Sequence, residues 1–164
     1  MHLRRILAIV AMLGASPGVA LERPKGEVVL TVDGLIAERN GPDGAAFDRD
    51  MLSRLPRHRF VTATRWTTGP TAFEGVLLRD LAAALGATGQ TAFVRAINGF
   101  TASIPISDTE IVPVLMAMTM NGEAMRIRDK GPLWIVYDLD DRPDLQTVET
   151  ESKMIWQVRS ITFR

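Results

Sequence analysis

About seven short segments of this chain alternate apolar and polar residues or run apolar for only a few positions, and each ends in a turn former. Only two or three stretches have helical spacing, and strands and helices do not follow a regular βα order. That pattern excludes a helical bundle and a doubly wound sheet, and leaves an α+β domain with a mixed β-sheet and a few short helices. The sequence contains no cysteine, so no disulfide can hold such a domain together; a single apolar core must do it.

The strand-like segments begin with Glu27 to Asp33, where β-branched residues dominate before Asp33-Gly34. Arg39 to Gly44, RNGPDG, is a dense turn. Phe47, Met51, Leu52 and Leu55 recur at helical spacing, so a helix is expected from Phe47 to Leu55, stopped by Pro56. Arg59 to Arg65 reads as a strand and Thr67 to Pro70 as a loop. Leu77, Leu78, Leu81 and Leu85 form one stripe, which predicts a helix over Val76 to Leu85 with Gly86 just past its end. Strands are expected at Thr91 to Ile97 and Phe100 to Ile106 around the turn Asn98-Gly99. One helical turn near Thr109 should precede a buried strand, and Asn121-Gly122 should turn into Ala124 to Ile127. Leu133 to Tyr137 reads as a buried strand, Arg142-Pro143-Asp144 as a turn or short helical cap, and Met154 to Phe163 as a closing strand.

Residues 1–20 have the layout of an export leader. His2, Arg4 and Arg5 precede the apolar run Ile6 to Leu13, and Gly18 and Ala20 are small residues at the −3 and −1 positions of a cleavage site. An uncleaved anchor would need ~20 apolar residues. With no cysteine after the run, a lipoprotein is excluded. The expectation is a signal peptide at 1–20, one domain at 21–164, a periplasmic location, and no membrane insertion once the leader is cut. Arg4 and Arg5 would leave with the leader, and acidic residues would then exceed basic ones by two. Such a balance points away from nucleic acid and from anionic membrane surfaces.

The usual catalytic outfits lack their parts. His58 is the one histidine beyond the leader, and no thiol, Gly-x-Ser-x-Gly elbow, glycine-rich phosphate loop or metal-ligand spacing is present.

Several segments, in order, carry a resemblance. They are Phe73-Glu74-Gly75-Val76-Leu77-Leu78 with Asp80-Leu81, Asn98-Gly99-Phe100, Asn121-Gly122-Glu123, Lys130-Gly131-Pro132-Leu133-Trp134-Ile135-Val136-Tyr137, and Trp156-Gln157-Val158. Together they resemble the molybdopterin-binding domain of sulfite-oxidase type oxidoreductases. In that family a cysteine thiolate holds the molybdenum; the corresponding stretch here is Thr62 to Thr64, and a threonine hydroxyl is no soft ligand for that metal. The resemblance therefore implies a ligand that is a pterin, molybdopterin-like or a simple reduced pterin, bound without a metal and without catalysis. It also implies a sensor or accessory regulator, whose partner would be the periplasmic domain of an inner-membrane signalling protein that makes or degrades cyclic di-GMP. A protein-interaction module with a vestigial pocket and a degenerate molybdenum oxidoreductase remain the alternatives.

A pterin pocket needs aromatic walls and a few fixed polar groups. Trp66, Phe100 and Trp134 are the candidate walls, although Trp134 lies in an apolar run and suits the core, as Trp156 does more strongly. Asp129 could accept from the ring's N–H edge, Arg65 or Arg128 could meet its carbonyl, and Asn98 could do either. Thr67 adjoins Trp66, and Gly99 and Gly131 would let backbone approach the ring. Arg126, Arg128 and Lys130 alternate, so an extended chain would gather them on one face as an anion site.

Overall fold

The computed structural model describes residues 21–140 and 142–164; the expected leader lies outside them. The domain is α+β, built from two sheets and four short helices. The strands are β1 (Val28–Gly34), β2 (Ala45–Asp48), β3 (Arg57–Thr62), β4 (Thr71–Leu77), β5 (Thr91–Ala96), β6 (Thr101–Pro105), β7 (Val114–Met120), β8 (Glu123–Ala124), β9 (Trp134–Tyr137) and β10 (Val158–Phe163). The helices are α1 (Arg49–Ser53), α2 (Leu78–Ala84), α3 (Asp108–Ile111) and α4 (Val148–Lys153).

The first sheet runs β2-β1-β10-β5-β6. Its first and last strands in sequence, β1 and β10, pair in parallel, with Thr31 opposite Ser160 and Gly34 opposite Phe163, while the neighbouring pairs are antiparallel. The sheet is therefore mixed, as the strand order implied. The second runs β3-β4-β7-β8, and β9 also pairs with β7. β7 is buried from Val114 to Met118 and β9 throughout, so their continuous apolar runs reflect burial on both faces. α2 packs on β4 and β7, with Leu78, Leu81 and Leu85 fully buried. Gly86, at φ +56°, ends it in the left-handed conformation expected there.

Four features differ from the sequence reading. The helix expected from Phe47 starts at Arg49, because Asp48 caps it: its carboxylate accepts from the Met51 N–H at 2.8 Å, and a capping residue is extended. Phe47 thus belongs to a strand. Val76 and Leu77 end β4 instead of opening α2; Gly75, Val76 and Leu77 are all buried, so periodicity could not separate the strand's end from the helix's start. Arg126, Arg128 and Lys130 do not share an extended face: Ile127–Asp129 is a 3₁₀ turn and Lys130 has φ +71°. Finally, α4 was not expected, since its sequence VETESK offers no apolar stripe; Thr150 is its only buried residue.

Asp48 does more than cap. Its other oxygen accepts from the N–H groups of Lys25 at 2.8 Å and Gly26 at 2.9 Å, which ties the chain before β1 to α1. The Met51 and Gly26 N–H bonds, opposed by burial and helped by Lys25, hold its carboxyl below the ordinary range. A depressed carboxyl contributes stability above its unfolded pKa of about 3.9 and loses it as pH falls through the folded value. Asp48→Asn should therefore lower the urea midpoint near neutral pH, and the gap from the parent should narrow below about pH 4.

Candidate functional site

Three tryptophans remote in sequence meet at one place. Trp134, on β9, is fully buried and donates its indole N–H to the Met154 carbonyl at 3.1 Å. Trp66, in the loop after β3, and Trp156, just before β10, lean on it edge-on, with ring centroids 6.2 and 6.3 Å from Trp134. They are 5.4 Å from each other. Trp66 and Trp156 are half-buried, and their free faces line a cavity of about 260 Å³. Its walls are Ala96, Asn98 and Phe100 from the β5–β6 turn on one side, and Glu151, Ser152, Met154 and Ile155 from α4 and the segment after it on the other. Phe100 is 57% exposed, so a large apolar ring stands free at the edge of this cavity.

The polar groups are few and oriented. Asn98 Oδ1 accepts from the Phe100 N–H at 3.1 Å, which fixes the amide and leaves its NH₂ group to donate. Glu151 Oε2 accepts from Arg65 Nη1 at 2.9 Å, while Oε1 has no protein partner among the described residues. Arg65 in turn stacks over Trp66, its guanidinium carbon 5.8 Å from the ring centroid. A second cavity, of about 200 Å³, adjoins: Trp66, Glu151 and Met154 border both, and Thr64, Arg65 and Gln146 line the second alone.

Of the residues singled out in the sequence, Trp66, Asn98 and Phe100 come together in the first cavity, with Arg65 behind Glu151. The others do not join them. Trp134 has no surface to offer a ligand, because it supports the other two rings from the core. Arg128 is exposed, and Asp129 pairs with Arg126 at 2.8 Å inside their own turn. Lys130 extends its ammonium toward Trp134 and Trp156, 5.5 and 5.9 Å from their centroids, without lining the cavity. Thr67 is held by Thr64 across the loop. Gly131 serves packing and not a ligand, since a Cβ there would stand 2.1 Å from the Met125 carbonyl oxygen. Trp156 was expected in the core and is instead a cavity wall. Glu151 was missed because nothing local distinguishes it from the other charges of a polar helix.

The scan of known families matches residues 47–138 to the oxidoreductase molybdopterin binding domain. The chain belongs to this family. No curated protein matches it.

The family's metal does not fit the residues present. The sequence has no cysteine. Thr62, in the stretch that corresponds to the ligand cysteine, is buried, donating to Asp140 Oδ1 at 3.1 Å and accepting from the Leu139 N–H at 3.3 Å. Thr64 is turned toward Thr67. Among the described residues no three His, Cys, Asp or Glu side chains converge as a metal site. For a flat ring, the cavity offers aromatic walls with a carboxylate and an amide beside them.

The two tryptophans should respond differently to truncation. Trp134→Ala should cost about 3–5 kcal/mol of stability, the range for a buried aromatic. Trp156→Ala should cost clearly less, because part of its ring already faces solvent. Urea denaturation of both variants checks the order.

Proposed function

We propose that this protein is a non-catalytic pterin-binding protein, exported to the periplasm, that reports ligand occupancy to a membrane-bound signalling partner. The observation that carries the reading is the Glu151 carboxylate in a cavity walled by Trp66, Trp156 and Phe100, in a chain that matches the molybdopterin binding domain over residues 47–138 and has no thiol. The ring lies against the aromatic faces. Its 2-amino and N3–H donors go to Glu151, and its carbonyl accepts from the Asn98 amide. Arg65 Nη1, 2.9 Å from Glu151 Oε2, aims the carboxylate, and bonds to a carboxylate are charge-assisted.

A regulatory role is supported by the chemistry that the chain lacks. It has no thiolate to bind molybdenum, and His58 is engaged by Asp80 at 2.8 Å. Export is supported by the leader-like residues 1–20, and a partner of the cyclic di-GMP type by the resemblance of small exported members of this kind.

Two measurements test this. Protein purified from the periplasm of its own host and released in acid should yield blue pterin fluorescence, with no stoichiometric molybdenum by elemental analysis; one equivalent of molybdenum would reject the reading. In titrations with dihydroneopterin, Trp66→Ala loses a stacking face worth about 0.5–1.5 kcal/mol. Glu151→Gln loses a charge-assisted bond worth about 1.5–3 kcal/mol. Each variant should bind roughly tenfold more weakly, one decade being about 1.4 kcal/mol. Asp129→Asn should bind like the parent. If the first two variants also bind like the parent, this cavity is not the pterin site.

A further inference from the structure

Helix α4 supplies Glu151 and Ser152 to the cavity, yet it has little of its own to hold it in place. At six residues it is far too short to persist alone. Thr150 is its only buried residue, and Val148 is 79% exposed, so no apolar face docks it on the core. Beyond the tie of the next residue, Met154, to Trp134, its position comes from polar contacts.

One of them is Arg65 with Glu151, and others converge on a single carboxylate, that of Asp108. Lys153, the last residue of α4, donates from Nζ to Asp108 Oδ2 at 2.9 Å and lies 3.3 Å from Glu149 Oε1. The Tyr137 hydroxyl, from β9, donates to the same Asp108 oxygen at 3.1 Å. Lys153 and Asp108 are only 15% and 19% exposed, which sets this pair apart from the chain's more open ion pairs. Burial works against the Lys153 ammonium, but the bonds and charges of Asp108 and Glu149 outweigh it and raise its pKa. Burial and the neighbouring Asp108 charge push the Tyr137 phenol up, so it stays a neutral donor.

The placement of Asp108 matters as much as its bonds. It opens α3, which follows β6, and β6 begins directly after Phe100. Lys153 immediately precedes Met154, Ile155 and Trp156. The pair thus joins the two stretches of chain that line the cavity, and Asp108, Tyr137, Glu149 and Lys153 border a separate cavity of about 270 Å³.

We infer that Asp108, Lys153 and Tyr137 form a latch that holds α4 in place, and that this latch sets the separation of the cavity walls and the position of Glu151. These are positioning residues, and the inference rests on the pterin reading of the cavity for its effect on affinity, though not for its effect on the walls.

The experiment has two arms, run on the full mature chain below its unfolding temperature. In the first, without ligand, acrylamide quenching reports access to Trp66 and Trp156, with Trp134 buried as a constant background. Lys153→Met and Asp108→Asn should raise the quenching constant. Lys153→Arg should not. In the second arm, dihydroneopterin affinity should fall about tenfold in Lys153→Met and Asp108→Asn, within the range by which contacts outside a site modulate it. It should be kept in Lys153→Arg.

Should Lys153→Met or Asp108→Asn fail to fold, Tyr137→Phe removes one hydrogen bond with the packing kept, and should move both readouts in the same direction by less. A lowered melting temperature with quenching and affinity unchanged would overturn the latch. A parent that does not bind the pterin would overturn the proposed function, while the quenching arm would still decide the latch.

Discussion

The bond from the Trp134 indole N–H to the Met154 carbonyl joins the fold to the site. Trp134 belongs to β9, a strand buried on both faces against β7. Met154 belongs to the connection between α4 and β10, which has no sheet partner of its own beyond a bridge at Trp156. A buried indole N–H left without an acceptor would cost on the order of 1–3 kcal/mol, so the bond fixes this connection against the core. The backbone bond from the Ile135 N–H to the Ile155 carbonyl, at 2.9 Å, repeats the tie one residue on. With the connection fixed, Trp156 has a defined place, and Trp66 packs into the angle between the two rings.

The cavity therefore combines two kinds of support. Its floor is core, with Trp134 behind the exposed faces of Trp66 and Trp156 and Phe73 packed edge-on to Trp134 at 5.3 Å. Its sides are a hairpin turn and a polar helix, both held by hydrogen bonds. A rigid aromatic floor favours a flat ligand at little ordering cost, and sides held by polar contacts are elements that a ligand's charge can pull. This division suits the ligand-reporting role proposed above.

The electrostatics follow the same division. Exposed pairs such as Arg54–Glu22, at 3.1 Å, contribute little, since solvent screens them. Arg65–Glu151 has one partner exposed and the other 27% exposed, at the boundary of the two cavities. It acts on the direction of the Glu151 carboxylate more than on the stability of the fold.

The sequence by itself determined the parts that depend on neighbours along the chain. The alternation in β5, β6 and β10, the apolar runs of β7 and β9, the leucine stripe and Gly86 of α2, and the turns at Asn98-Gly99 and Asn121-Gly122 all express local sterics and burial. The ordered segments from Phe73 to Tyr137 carried the family. Trp66, Asn98 and Phe100, singled out in the sequence, do line one cavity; for Trp66 the signal was a large aromatic in a polar loop, which packing explains poorly. Only the tertiary structure decided which tryptophan is floor and which is wall. Trp134 and Trp156 look alike in apolar surroundings, and their exposure depends on β9 lying inside the second sheet while Trp156 sits just before the start of β10. Glu151, Asp108 and Lys153 were invisible for a related reason. In α4 and α3 they are ordinary charged residues, and they acquire roles because pairing of β1 with β10 and of β9 with β7 brings distant parts of the chain within hydrogen-bond reach.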